Sequence, residues 1–260
     1  MLFHGGGQTR HAWGTTLTTL AAKGWRAHSV DLRGHGQSDW VSNSDYTLTA
    51  FADDVRAIAA SFAEPPALVG ASLGGVASMT AIGEHPDQPV AKALILVDVA
   101  ARMEEQGRDR ISNFMTERMH EGFASLDEVA DAIHAYNPHR ARPSDLSGLA
   151  KNLRARDGRF YWHWDPAFIT ARNGGSDETR STLIDSDRLE NAARSLILPT
   201  LLVRGRMSDL LSEQGAQEFL ALAPHAELAN VAGAGHMVAG DRNDLFNDAV
   251  VEFLERHRNR

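Results

Sequence analysis

One serine stands in a stretch whose residue types and spacing suit nucleophilic catalysis. Ser72 lies in "LVGASLGGVA", residues 68–77, with Gly70 and Gly74 two positions away on either side. A Gly-x-Ser-x-Gly pattern between a predicted strand and a predicted helix forms a sharp turn that exposes the serine hydroxyl. Small neighbours are needed there because the strand and the helix approach each other closely. The stretch therefore predicts that Ser72 is a nucleophile.

A serine becomes a strong nucleophile only with a base and a third group that orients the base. His236 follows a short apolar run in "VAGAGHMV", a loop of small residues near the C-terminus. Asp209 lies in "LLVRGRMSDLLS", in the loop after another predicted buried strand. Ser72, Asp209 and His236 occur in the chain order that hydrolases with such a turn use. We predict these three residues as a catalytic triad, with helix capping as the alternative role for Asp209.

Backbone amides are the groups expected to bind the negative charge that develops on the attacked carbonyl oxygen. The glycine run in "LFHGGGQ", residues 2–8, follows the end of a predicted strand and leaves its N–H groups unobstructed. We predict the amides of Gly6 and Leu73 as the two donors, each contributing about 3 kcal/mol to transition-state stabilisation. A phosphate-binding loop is the alternative, but the run lacks a Walker lysine and the pattern G-x-G-x-x-G.

Composition limits the classes of protein to which the chain can belong. Its 260 residues, 43% of them hydrophobic, suffice for one large domain or for one domain with an insertion. The absence of cysteine excludes disulfides, thiolate metal sites and a cysteine nucleophile. A net charge of −8 argues against nucleic acid as a partner, and no apolar run is long enough to span a membrane. We expect a cytoplasmic enzyme with a small-molecule substrate, and homo-oligomerisation stays open.

Two stretches of the chain alternate short apolar runs with helical periodicity, which favours an α/β fold with a mostly parallel sheet flanked by helices. Predicted strands are 26–31, 67–70, 93–98, 200–205 and 226–231, and predicted helices begin near residues 48, 74, 212 and 244. Between these stretches there is no strong strand signal, and Ser125 and Glu128 form a capping box. We expect residues 1–100 and 195–260 to form the core, with residues 101–194 as a helical insertion.

Aromatic residues in and near the insertion are candidates to contact a substrate, because binding pockets are mostly apolar with few polar groups. The stretch "FYWHWDPAF", residues 160–168, is the densest aromatic segment, and an aromatic core between insertion and sheet is its alternative role. Two further candidates are close in sequence to a predicted site loop. The predicted substrate contacts are Trp162, His163, Trp164, Trp13 and Met237.

Taken together, these motifs resemble the α/β-hydrolase superfamily. The matching stretches, in family order, are "FHGGG", "DLRGHGQSD", "GASLGG", "RGRMSD" and "GAGH". The resemblance covers nearly the whole chain outside the insertion and implies an α/β-hydrolase fold whose insertion forms a helical cap. The chain is most similar to the capped group of epoxide hydrolases, haloalkane dehalogenases, carboxylesterases, lactonases and carbon–carbon bond hydrolases. Epoxide hydrolases and dehalogenases of this group carry an aspartate where this chain has Ser72, which argues against both chemistries.

The resemblance carries two further implications. It offers a second position for the acid at Asp98, at the end of a predicted strand, which we expect to be structural, with assistance to His236 as the alternative role. Family members usually have two further strands and the start of a third before the glycine loop, whereas this chain begins "MLFHGGG". We therefore expect missing or truncated N-terminal strands, or another segment or subunit that covers the exposed sheet edge.

The predicted activity is hydrolysis of a carboxylic ester or lactone of a small apolar or aromatic substrate, through an acyl-enzyme at Ser72. No cofactor or metal is expected, since H-E-x-x-H is absent and His134 and His139 lack a carboxylate partner in sequence. Three alternatives stay open. They are a carbon–carbon bond hydrolase of a diketone-like substrate, a cofactor-free oxygenase or perhydrolase, and a ligand-binding protein that retains a relic triad.

Overall fold

The computed structural model, which describes residues 1–138, 141–173, 185–241 and 243–258, contains a main sheet of six strands and a separate two-stranded hairpin. The strands in chain order are β1 (Leu2–Phe3), β2 (Ser29–Val30), β3 (Ala67–Ala71), β4 (Ala93–Val97), β5 (Leu153–Arg156), β6 (Arg159–Trp162), β7 (Thr200–Gly205) and β8 (Glu227–Val231). The main sheet has the order β2-β1-β3-β4-β7-β8, and each neighbouring pair in it is parallel. The predicted α/β fold with a mostly parallel sheet is confirmed.

Helices cover both faces of the main sheet. In chain order they are α1 (Gly14–Ala22), α2 (Leu48–Ala60), α3 (Leu73–Gly83), α4 (Glu105–Thr116), α5 (Leu126–Tyr136), α6 (Pro166–Asn173), α7 (Ser186–Arg194), α8 (Glu213–Leu222), α9 (Val238–Asp241) and α10 (Asn243–Arg256). No helix of the described residues is long and apolar enough to cross a lipid bilayer.

The central strands are apolar throughout because both of their faces are buried. Successive residues of a strand point to opposite faces. Leu94 and Leu96 of β4 accordingly belong to the core cluster that packs with α2, α3, α7 and α8. Ile95 and Val97 of the same strand belong to the cluster that packs with α1 and α10. This double burial explains why the strands read as continuous apolar runs in the sequence.

Side-chain caps define where several helices begin. The Thr47 hydroxyl accepts a hydrogen bond from the Ala50 amide at the start of α2, and the Ser212 hydroxyl caps α8 in the same way. At α5 the Ser125 hydroxyl accepts from the Glu128 amide, as the predicted capping box requires. Helix α1 was not predicted, because its threonine-rich sequence lacks a clear apolar stripe.

The segment 101–194, expected as a helical insertion, contains strands as well as helices. It contains α4, α5, α6 and α7, but also the antiparallel hairpin of β5 and β6. Asp157 and Gly158, both at positive φ, form the two-residue turn of that hairpin, and Asp-Gly is a sequence signal for such a turn. Helix α7 packs on α3 so tightly that a Cβ built on Gly83 would lie 2.2 Å from the Ala192 carbonyl oxygen. The boundaries 1–100, 101–194 and 195–260 stay a prediction.

Candidate active site

Ser72 occupies the turn between β3 and α3. Its backbone angles are φ 45° and ψ −114°, a strained conformation that for a residue with a side chain costs on the order of 1–3 kcal/mol. A Cβ built on Gly70 would lie 2.4 Å from the Gly74 carbonyl oxygen, and one on Gly74 would lie 2.4 Å from the Phe3 carbonyl oxygen. The small residues around Ser72 are therefore required by close backbone approach, as the motif indicated.

The carboxylate beside His236 belongs to Asp98. Asp98 directly follows β4 at φ 52°, is fully buried, and accepts a 2.8 Å hydrogen bond on Oδ2 from His236 Nδ1. The same oxygen accepts from the Ser208 hydroxyl at 2.5 Å, and Oδ1 accepts from the Gly205 amide at 2.9 Å. Three donors thus hold the carboxylate in one orientation.

This geometry corrects the predicted triad, which had Asp209 as the acid. The Asp209 carboxylate instead forms a 2.6 Å ion pair with Arg110 of α4. Arg110 also donates to the Tyr136 carbonyl oxygen, so Asp209 connects the loop after β7 to the insertion. Both aspartates follow neighbouring parallel strands, whose carboxyl ends meet at one edge of the sheet. Asp98 was expected to be structural, and it is the one that contacts the imidazole.

The contact with Asp98 determines which nitrogen of His236 is available as a base. Because Nδ1 donates its proton to the carboxylate, the neutral ring has an unprotonated Nε2. His236 and Ser72 both line one cavity of about 540 Å³. The arrangement can therefore remove a proton from a serine hydroxyl and hold the resulting imidazolium against a buried carboxylate.

The glycine loop after β1 lies beside Ser72. A Cβ built on Gly5 would be 3.2 Å from the Ser72 Cβ, and the Gly5 amide donates to Gln8 Oε1 at 2.9 Å. Gly6 and Leu73 both line the cavity, and neither amide N–H has an acceptor among the residues that the structure describes. Two unpaired donors next to a serine fit the binding of a developing oxyanion, and this role for Gly6 and Leu73 stays a prediction.

Three buried histidines hold the glycine loop through hydrogen bonds to its backbone. His35 Nε2 accepts from the Gly7 amide at 3.1 Å, and His163 Nε2 donates to the Gly7 carbonyl oxygen at 3.3 Å. His4 Nδ1 donates to the Gly5 carbonyl oxygen at 2.8 Å. Burial is the largest cause of a lowered pKa in each, to about 3 for His4 and His163 and about 4 for His35. The three rings are therefore neutral, and they hold the glycine loop in place through hydrogen bonds.

His163 was predicted to contact the substrate, and the structure does not place it among the residues that line the cavity. Its Nδ1 accepts from the Gly36 amide at 2.8 Å, in addition to the contact with Gly7. Only 2% of the residue is exposed, because it lies between the insertion and the two loops that follow β1 and β2. These two hydrogen bonds connect the glycine loop to the loop after β2.

The other four predicted contacts line the cavity: Trp13, Trp162, Trp164 and Met237. Trp162 and Trp164 stack with ring centroids 4.9 Å apart, and Phe114 of α4 packs against Trp162. Trp162 ends β6, Trp164 lies in the following loop, and Phe168 lies in α6, so the aromatic stretch spans three kinds of local structure. Their contact with a substrate stays a prediction.

Sequence reasoning missed the positively charged part of the lining. Arg108 of α4 and Lys151 line the same cavity as Ser72. The only available signal was the amphipathic spacing of α4, in which Arg108, Ile111 and Met115 fall on one face. Among the described residues no group of three or more His, Cys, Asp or Glu side chains converges on a point, and His139 lies outside those residues.

Comparisons with known proteins agree with this architecture. The sequence profile of the alpha/beta hydrolase family matches residues 1–249. The chain is 29% identical over 253 residues to esterase Rv0045c of Mycobacterium tuberculosis, covering 93% of this chain and 78% of that protein. It is 28% identical over 228 residues to a 2-(acetamidomethylene)succinate hydrolase of Mesorhizobium japonicum, covering 87% of this chain and 77% of that protein.

A crystal structure of the Mycobacterium tuberculosis esterase superposes on this structure with a TM-score of 0.76 at 28% identity, covering 98% of this chain and 84% of that chain. Because the family profile matches nearly the whole length, the chain belongs to the alpha/beta hydrolase family.

Proposed function

We propose that this hydrolase of ester bonds cleaves a carboxylic ester or lactone with a small apolar or aromatic body, through an acyl-enzyme on Ser72. The observation that carries the proposal is the cavity in which Ser72, His236 and two unpaired amides meet, with Asp98 behind the histidine. The similarity to an esterase over 93% of the chain supports the same reaction class.

In the proposed reaction, His236 Nε2 takes the proton of the Ser72 hydroxyl while the serine oxygen attacks the ester carbonyl carbon. The amides of Gly6 and Leu73 bind the oxyanion of the tetrahedral intermediate. When the intermediate collapses, the protonated imidazole gives its proton to the departing alkoxide, which leaves as an alcohol. Water deprotonated by His236 then attacks the acyl carbon and releases the acid.

Asp98 has two functions in this scheme. By accepting from Nδ1 it fixes the tautomer in which Nε2 is the base, and its negative charge stabilises the imidazolium that forms. Its own position is fixed by Ser208 and Gly205, so the imidazole is oriented before a substrate binds. This is pre-organisation, which reduces the reorganisation needed during the reaction.

The first test uses a fluorophosphonate probe, which reacts with activated serines regardless of the natural substrate. We expect rapid labelling of Ser72, located by mass spectrometry, and no labelling of the Ser72→Ala variant. Panels of short aryl esters, lactones and a vinylogous 1,5-diketone then separate ester hydrolysis from carbon–carbon cleavage. A folded protein that is not labelled at Ser72 would refute the proposed function and would favour a ligand-binding role.

A further inference from the structure

The charge of the cavity lining differs from that of the whole chain. The chain has 34 acidic residues against 26 lysines and arginines. Among the described residues that line the cavity, however, the charged side chains are the cations Arg108 and Lys151, and none is an aspartate or a glutamate. A cavity built only for a neutral ester has no need of this bias, whereas an anionic ligand does.

The side chain of Arg108 has no acceptor among the residues that the structure describes. Its Nε is buried without a hydrogen-bond partner, although a buried polar atom normally has one. Other arginines of the insertion are paired: Arg110 with Asp209, and Arg142 with both Asp127 and Asp131. Because Arg108 is only partly buried and lines the cavity, its guanidinium can bind an acceptor of a ligand there.

Two other lining residues show the same lack of acceptors. Trp13 Nε1 and Trp164 Nε1 are also buried without a hydrogen-bond partner. With Arg108 Nε they make up the unpartnered buried side-chain atoms of the described lining, and all three are donors. The polar atoms of the lining that lack a partner are thus donors, in agreement with the positive charge of the lining.

Helix α4 sets the distance between the positive charge of Arg108 and the glycine loop beside Ser72. Met115, near the end of α4, contacts the glycine loop, since its Cε would lie 3.2 Å from a Cβ built on Gly7. Arg108 lies seven residues earlier on the same face, about 10 Å along the helix axis. Ile111 and Phe114 line the cavity along this stretch. Apolar side chains of α4 thus lie between the glycine loop and the Arg108 guanidinium.

We propose that the substrate is a small ester that bears a carboxylate, and that Arg108 binds this carboxylate while the apolar part of α4 contacts a spacer of several methylenes. A guanidinium donates two parallel hydrogen bonds to a carboxylate, which makes it a specific binding site for that group. The proposal rests on the proposed function, because it names the class of ester on which Ser72 acts.

Matched substrates test the charge preference. The mono-4-nitrophenyl ester of adipic acid is compared with 4-nitrophenyl 6-methylheptanoate, in which an isopropyl group replaces the carboxylate. A second pair, 4-acetoxybenzoate and 4-isopropylphenyl acetate, places the charge on the alcohol side instead. We expect kcat/KM to favour the charged member of at least one pair by about 10-fold or more, since a charged hydrogen bond contributes about 1.5–3 kcal/mol.

Variants connect the preference to Arg108. In Arg108→Met we expect kcat/KM for the charged substrate to fall about 10- to 100-fold, chiefly through KM, with the neutral partner changed less than about threefold. Arg108→Lys should restore part of the preference, and Arg142→Met, which removes a paired surface arginine, should leave it unchanged. Equal preference in wild type and Arg108→Met, or a wild-type preference for both neutral substrates, overturns the proposal.

A binding measurement separates this inference from the proposed function. Calorimetry on the Ser72→Ala variant compares monomethyl adipate with the neutral methyl adipamate, with and without Arg108→Met. We expect the charged ester to bind at least about tenfold more tightly, and Arg108→Met to remove the difference. Retained binding preference without labelling of Ser72 would reject only the proposed function. Equal binding of both esters, together with labelling and ester hydrolysis, would reject only this inference.

Discussion

Replacement of Asp98 or Asp209 by asparagine distinguishes the two acids that follow adjacent strands. An asparagine at position 98 can still accept from the Gly205 amide through its carbonyl oxygen, which turns its NH2 group toward His236 and Ser208. His236 would then have to accept on Nδ1 and carry its proton on Nε2, so the ring could no longer take a proton from Ser72. The substitution therefore removes the base without removing a side chain.

The expected magnitudes differ widely. Loss of the correct tautomer lowers kcat by about 10⁴-fold, which corresponds to roughly 5 kcal/mol of transition-state stabilisation. Asp209 and Arg110 are each more than one third exposed, at 37% and 39%, so their ion pair contributes about 0–1 kcal/mol. Asp209→Asn should therefore change kcat by less than about fivefold.

The assay measures kcat and KM with an aryl ester, together with the rate of fluorophosphonate labelling, for wild type and both variants. Circular dichroism and the thermal midpoint show that each variant is folded. We expect Asp98→Asn to reduce both rates strongly at an unchanged KM, and Asp209→Asn to resemble wild type. If Asp209→Asn lost more activity than Asp98→Asn, the assignment of the acid would be refuted.

Two further predictions concern stability. In the unfolded chain His4, His35 and His163 bind protons below about pH 6.5, whereas burial lowers their pKa in the folded chain to about 3 or 4. Stability is therefore lost as the pH falls from about 6.5 toward these lowered pKa values. Each proton contributes about 1.4 kcal/mol per pH unit, so the free energy of unfolding should fall by roughly 4 kcal/mol between pH 6 and pH 5. Urea denaturation at both pH values measures this change. A change under about 1 kcal/mol would contradict neutral burial of His4, His35 and His163. The Cβ of Gly74→Ala would lie 2.4 Å from a carbonyl oxygen of β1, so this variant should lose about 3 kcal/mol of unfolding free energy or fail to fold. The control Gly14→Ala, whose Cβ would have nothing within 4 Å, should be neutral or stabilising. Equal thermal midpoints of the two variants would contradict the packing argument.

Most elements of the core were predictable because their signals are local. The central strands are buried on both faces and therefore appear in the sequence as apolar runs. Helices such as α2 and α8 begin after the capping residues Thr47 and Ser212. The hairpin of β5 and β6 was missed because β5 is mostly exposed and each strand has only four residues. Its Asp157-Gly158 turn was the one local signal that could have indicated it.

The site was predictable where a motif constrains its own backbone. The turn at Ser72 follows from the glycines around it, since any side chain at Gly70 or Gly74 would collide with backbone. The choice of acid could not be made in this way. Asp98 and Asp209 both end up near the same edge of the sheet, and only the folded loops show that Ser208 and His236 turn toward Asp98.

The sequence by itself determined the parallel sheet, the serine turn and the class of chemistry, because these depend on residue periodicity and on spacing over a few positions. Tertiary structure alone decided which carboxylate contacts His236, the hydrogen bond from His163 to the glycine loop, and the lack of a described acceptor for the Arg108 side chain. Each of these depends on which side chains distant in sequence share a buried volume. Burial, and the satisfaction of polar groups within it, is a property of the assembled chain and not of any local stretch.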